Sequence, residues 1–375
     1  MRAGAGPTVF GVTAPLIGPE VRRTERATHL VILMVVLGLL LPLLLWPGIA
    51  ALVWSLRSDS TLDLVVYDQT VPDGSYLEHA SLGLVLEYEK VPFATEDSFI
   101  GAAPGGAPHG DWPLEEPDLV MLVDAYGVYV DDAGEVSDQG TNRITDAFGA
   151  DDAETVSDWA ASGAVVYGEF NVLGEPTAST ASRRLEELFG VARTRWAGRP
   201  FEDLAAVPER LIALAGGTWD FTGRGIVLLA PGQAGASVVV LTSDELTGSL
   251  PIVYGELPGS GRSSEARLNG WFEIITASPG AEVDMRMRLP VTEAGRALLS
   301  ESGIPTEWPF LVRHEKSLYL AADASENSVD FPLRRMTGSA ALMRVLPQSP
   351  EAEFFYRVYV PVVQWLVETA ESTNG

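Results

Sequence analysis

Three carboxylates stand where apolar runs stop. The run from Leu62 to Tyr67 enters Asp68, the run from Leu119 to Val123 enters Asp124, and the run from Ala164 to Tyr167 reaches Glu169 through Gly168. Tyr126 and Asn171 lie two residues beyond the second and third of these acids, and Glu78 and His79 lie between the first two acids. Carboxylates accept hydrogen bonds from hydroxyls, and aromatic faces cover the C–H surfaces of sugars. Asp68, Glu78, His79, Asp124, Tyr126, Glu169 and Asn171 are therefore the candidate ligand-binding set. Asp68, Asp124 and Glu169, with His79, are also the candidate catalytic groups. Paired carboxylates can act as acid and base across a glycosidic bond at separations of about 5–5.5 or 6.5–9.5 Å, and a histidine can serve as general base. The competing reading is plain structure: Asp is favoured in turns and caps whatever the function, and a lone His beside a Glu is common on helix surfaces.

Other chemistries are excluded or unsupported. The chain has no cysteine, so there are no disulfides, thiolate nucleophiles or Cys-based metal sites. Its four histidines, His29, His79, His109 and His314, form no paired ligand spacing, and neither a metal nor a cofactor is expected. There is no GxSxG elbow, no phosphate-binding P-loop and no dinucleotide glycine fingerprint after the first strand. The balance of 25 Lys plus Arg against 51 Asp plus Glu gives a net charge of −26, which repels nucleic acid, and no nucleic-acid partner is expected.

The acid-bearing runs need a sheet to hold them. Short apolar runs read as buried strands. Between them Ser75 opens a helix with Glu78 as its capping partner, Val91 to Ala94 suggests a short strand, and residues 101–118 read as a Gly/Pro-rich loop. Glu154 to Ala161 and Thr177 to Leu188 read as helices. Strands alternating with helices predict a parallel sheet, whose ligands bind beyond the carboxyl ends of the strands. If so, the three acids share one rim.

The later half reads differently. Gly225 to Ala230 and Ser237 to Leu241 predict a hairpin, and Pro258 to Ser264 a loop. Trp271 to Ile275 and Val283 to Leu289 predict strands, and Thr292 caps a helix to Leu299. Phe310 to His314 and Leu318 to Ala321 predict a hairpin, and Glu351 to Ala370 an amphipathic helix broken or bent at Pro361. Trp196, Arg199, Trp219 and Trp271 read as packing or interdomain contacts.

At the other end, Leu30 to Trp54 carries no charge. About 20 apolar residues suffice to span a bilayer, and prolines are tolerated in spans. Arg22, Arg23 and Arg26 precede the run and Arg57 alone follows it closely, which orients the N-terminus toward the cytoplasm. The competing reading is a cleaved signal peptide. The expected organisation is a cytoplasmic tail over 1–28, a single-pass anchor over 29–56, an α/β domain over 57–250, and a β-rich extension with a C-terminal helix over 251–375.

The segments YDQTVPDGSYLEHASL (67–82), DLVMLVDAYGVY (118–129), GEFNVLGEPT (168–177) and WAGRPFEDL (196–204) resemble an uncharacterised group of bacterial membrane-anchored proteins with a class I glutamine amidotransferase-like domain. The resemblance spans about residues 62–205, with weaker echoes at GWFEI (270–274) and near the C-terminus. It implies a flavodoxin-like sandwich and, since this fold occurs as a non-catalytic domain in some glycoside hydrolases, a carbohydrate-linked setting. Amidotransferases use a Cys nucleophile with a His–Glu pair. This chain offers Asp124, Ala125 and Tyr126 after the Leu119–Val123 strand instead, so glutaminase activity is not implied.

The expectation is a membrane-anchored, extracytoplasmic, non-catalytic binding or scaffolding protein of the cell envelope, with a carbohydrate or envelope-protein partner. The alternatives are a carboxylate-dependent glycan hydrolase and an accessory subunit of a membrane complex. Exposure of Phe354, Phe355, Val358, Val362 and Trp365 would favour the last.

Overall fold

The computed structural model describes residues 19–68, 80–92, 99–100, 112, 114–125, 129–130, 142–143, 148–174, 177–231, 236–325, 329–346 and 348–374. The chain divides into two units, Met1–Leu56 and Arg57–Gly375. In the first, α1 (Pro19–Leu56) is one continuous helix of 38 residues. Most of its described apolar side chains stand exposed, Leu30 at 57% and Leu44 at 75%, while Ala50 is buried and Trp46 and Trp54 are partly buried. Taken over the described residues, no helix is long and apolar enough to cross a membrane. The side chains of residues 39, 42 and 43, inside the uncharged run, are not among those described.

The second unit is a mixed α/β structure built on a nine-stranded sheet. Its parallel part consists of β1 (Leu64–Asp68), β2 (Phe99–Ile100), β3 (Leu119–Asp124), β6 (Val165–Glu169) and β15 (Ser317–Leu320), paired in the order β2-β1-β3-β6-β15. That is the 2-1-3-4-5 order of flavodoxin-like sheets. Every residue of β1, β3, β6 and β15 is buried, as expected for parallel strands covered on both faces. The short strands β4 (Tyr129–Val130) and β5 (Asn142–Arg143) pair separately.

Helices α2 (Ala80–Glu89), α3 (Ala150–Ser162) and α4 (Ser179–Phe189) occupy the connections. The α3 helix begins four residues earlier than its apolar pattern predicts, because the Asp152 carboxylate accepts the Gly149 backbone N–H at 2.8 Å and closes the first turn. A Cβ on Gly168 would come within 2.6 Å of the Phe189 ring. The bare backbone of β6 is thus what lets α4 lie close on this face. Alternation sends Tyr167 and Glu169 to the opposite face, where the C-terminal helix packs.

Past α4, β7 (Val191–Phe201), α5 (Glu209–Leu214), β8 (Gly225–Ala230) and β9 (Ser237–Leu241) lead into the later half. The 8–9 hairpin forms as expected. With β10 (Ile252–Glu256), β11 (Ser263–Arg267) and β12 (Phe272–Ala277) defined, the smaller sheet has the order β12-β7-β8-β9. β13 (Glu282–Arg288), α6 (Glu293–Glu301, capped by Thr292) and β14 (Glu307–His314) follow. The large sheet then continues antiparallel from β15 through β14, β13 and β10 to β11. It therefore crosses residue 250 without a break. Two local expectations change. Part of the expected 258–264 loop is the start of β11, and Val91–Pro92 are not strand; Phe93 and Ala94 lie outside the described residues. The capping residues Ser75 and Glu78 also lie outside them.

After α7 (Ser339–Val345), α8 (Pro350–Phe354) enters a π-helical turn, Phe355–Tyr359, and then α9 (Val360–Asn374). This is how the chain accommodates Pro361, which brings no N–H to the ladder. Nearby carbonyls are met from outside: Arg344 Nε donates to Tyr356 O at 3.2 Å and Ser264 Oγ to Arg357 O at 2.9 Å. Phe354, Phe355, Val358 and Val362 are all at most 2% exposed, so this stretch is core; Trp365 is partly buried against it.

Candidate functional site

The chain leaves β1 along one side of the parallel sheet and returns to the other side of β1 with β3, so the strand order reverses between these two strands. In open α/β sheets the crevice at that reversal, outside the carboxyl ends, is the usual ligand position. Asp68 and Asp124 flank it, paired directly in register across a local irregularity at Tyr67/Asp68. Glu169 ends the next strand, one residue past the Leu122–Gly168 pair. Three neighbouring parallel strands, each about 4.8 Å apart, thus bring the three predicted acids to one edge.

The acids are not presented openly. Asp68 and Glu169 are 0% exposed and Asp124 is 3%. Glu169 accepts from Tyr167 OH at 2.8 Å and from Ser325 Oγ. Ser325 lies just beyond β15, the strand on the far side of β6, so the rim is built from four strands. Burial, and after it the Glu169 charge, pushes the Tyr167 phenol well above its ordinary value. The Tyr359 phenol, reaching the rim from the π-helical turn, is raised by burial first and then by Glu169 and Asp323. Its hydroxyl is buried without a partner among the described residues.

Of the remaining candidates, Asn171 stands in the turn after β6 with a left-handed backbone, φ 72°. Glu78, His79 and Tyr126 lie outside the described residues. Ser325, Tyr167, Tyr359 and Asp323 carry no motif that points to the rim. Trp271, read from sequence as packing, proves to stack on Phe170, the residue after Glu169, with centroids 6.1 Å apart and planes 8° from parallel. Arg199 lies 5.6 Å over the Trp271 ring, within cation–π range. Trp271 O accepts the Asp323 N–H at 3.1 Å, which ties this pair of partly exposed rings to the same end of the sheet.

No family model matches the chain, and no curated protein matches it. Among solved structures it is similar to a ThuA-like protein from Bacteroides uniformis ATCC 8492, at 8% identity and a TM-score of 0.30, over 79% of this chain and 97% of that one. A likeness at that level carries no argument about fold or function.

A further buried carboxylate lies apart from the rim acids, on the smaller sheet. Glu273 on β12 pairs with Arg193 at 3.2 Å and accepts from Tyr319 OH on β15. Burial raises its pKa, against the lowering effect of Arg193. Trp308 Nε1 donates to its backbone carbonyl at 3.2 Å. Arg193 Nη1 also reaches Leu173 O at 2.9 Å, and the Tyr319–Glu273 bond links the two sheets. Among the described residues, no group of three or more His, Asp or Glu is placed to hold a metal ion.

Proposed function

We propose that this chain is a membrane-anchored extracytoplasmic protein that binds or scaffolds envelope carbohydrate without catalysing a reaction on it, on a glutamine amidotransferase-like, flavodoxin-like domain. The observation that carries the non-catalytic reading is the state of the rim acids. A glycosidase needs its two carboxylates open to a sugar and a water, whereas Glu169 is buried and occupied by two hydroxyl donors. The amidotransferase alternative lacks its cysteine. Beside the rim, Phe170, Trp271, Asn171 and Arg199 offer flat faces and polar groups suited to a sugar ring.

The anchor reading rests on the uncharged Leu30–Trp54 run, its helical state and the arginines before it. Burial of Phe354, Phe355, Val358 and Val362 removes the apolar face that a subunit role would have used.

Glycan-array binding of the full-length chain in neutral detergent tests the proposal. Binding to envelope oligosaccharides that is lost in Trp271→Ala supports it. No binding to any glycan, or hydrolysis of one, refutes it. Recovery of the protein in the soluble fraction after cell lysis refutes the anchor.

A further inference from the structure

A groove of about 570 Å³ opens where the turn between β10 and β11, at one edge of the nine-stranded sheet, meets α9. Arg262, Arg344, Pro361, Trp365 and Glu368 help to line it. Carboxylates outnumber cations about two to one in this chain, and its arginines are commonly paired: Arg313 with Glu282 and Asp284, and Arg334 and Arg335 with Glu87. Arg262 and Arg344 make no ion pair among the described residues, not even with Glu368 in the same groove.

Arg344 is held in place by the bond from its Nε to the Tyr356 carbonyl, which leaves the outer nitrogens of its fork available. Burial, and after it the charge of Arg262, pulls its pKa below the ordinary arginine value. Two like charges gathered into one partly desolvated groove are unfavourable until an anion joins them. The indole N–H of Trp365 adds a third donor with no partner among the described residues. Gly259 holds the turn against that ring at φ +64°, where a Cβ would fall 2.7 Å from Trp365 Cδ1. The turn and the ring are therefore fitted to each other.

We propose that this groove binds a phosphate-type oxyanion carrying a hydroxylated organic group. The Arg262 and Arg344 guanidiniums hold the oxyanion by paired N–H···O bonds. The Trp365 ring and Pro361 cover the organic part, and Glu368 accepts from its hydroxyls. The same chemistry is offered by a soluble phosphate ester and by a glycerophospholipid headgroup.

The test uses the full-length chain in neutral detergent, probed with inorganic phosphate, with glycerol phosphate, and with micelles doped with phosphatidylglycerol. Calorimetry and the unfolding midpoint are the readouts. Saturable binding of either soluble probe, weakened about tenfold or more in Arg262→Gln and Arg344→Gln, supports the site and identifies a soluble source. A response to doped micelles alone, lost in the same variants, supports it and identifies a lipid source. Arg262 is exposed, so Arg262→Gln keeps the fold, and an unchanged unfolding midpoint without probe verifies this. No response to any probe overturns the proposal, as does binding that both substitutions leave at full strength.

Discussion

Replacing Glu169 separates a structural carboxylate from a working one. Its side chain is fully buried and receives the Tyr167 and Ser325 hydroxyls. Glu169→Ala leaves both donors buried and unanswered, at about 1–3 kcal/mol each. With the loss of packing, the expected destabilisation is about 3–5 kcal/mol. Tyr167→Phe removes one hydrogen bond to a charged acceptor and is expected to cost about 1.5–3 kcal/mol. Tyr359→Phe removes a hydroxyl that has no partner among the described residues, and a change within about 0.5 kcal/mol is expected. Equilibrium urea unfolding at neutral pH, followed by tryptophan fluorescence, measures all three. The Tyr167→Phe/Glu169→Ala double variant should show a coupling energy of about 1–2 kcal/mol. Glu169→Ala at wild-type stability, or above it, would refute the reasoning: the carboxylate would then be held in the rim at a cost to stability, as groups retained for function are.

Gly168→Ala should destabilise by about 1–3 kcal/mol through overpacking against Phe189, and Phe189→Leu in the same chain should recover part of that loss in a thermal melt. The raised Glu273 pKa has a defined sign: the folded state keeps this proton longer than the unfolded one, so its contribution to stability falls as pH rises from the ordinary carboxylate range through the folded value. Urea midpoints measured across that range should show a shallower decline in Glu273→Gln than in the parent. Leu37→Arg, a charge in the middle of the uncharged run, should cost about 2.5–3.5 kcal/mol of insertion, seen as a shift from the membrane to the soluble fraction.

The strands that carry the rim were legible because parallel strands buried on both faces read as unbroken apolar runs; β1, β3 and β6 all do. β7 was not, because Arg193, Arg195 and Arg199 interrupt its pattern: one enters a buried ion pair, one has a positive φ, and one lies over an aromatic ring. β11, with the sequence SSEAR, has a single apolar side chain and reads as loop until its partner strand is known. Asp68, Asp124 and Glu169 could be grouped because each ends a strand. Ser325 and Asp323 could not, since β15 reads as half of a hairpin with β14 and nothing local shows that its other edge pairs parallel with β6. Trp271 meets Phe170 only through tertiary packing, so its neighbour was equally hidden.

The late arrival of β15 also bears on biosynthesis. Until residues 317–320 emerge from the ribosome, β6 has an open hydrogen-bonding flank beside an apolar surface, and its native neighbour lies far downstream in the sequence. Long-range parallel pairing of this kind closes slowly, and exposed strand flanks recruit other chains. A nascent chain of this topology has an extended interval in which chaperoning governs the yield of folded protein, and truncation anywhere before Ser317 would leave that flank permanently unpaired.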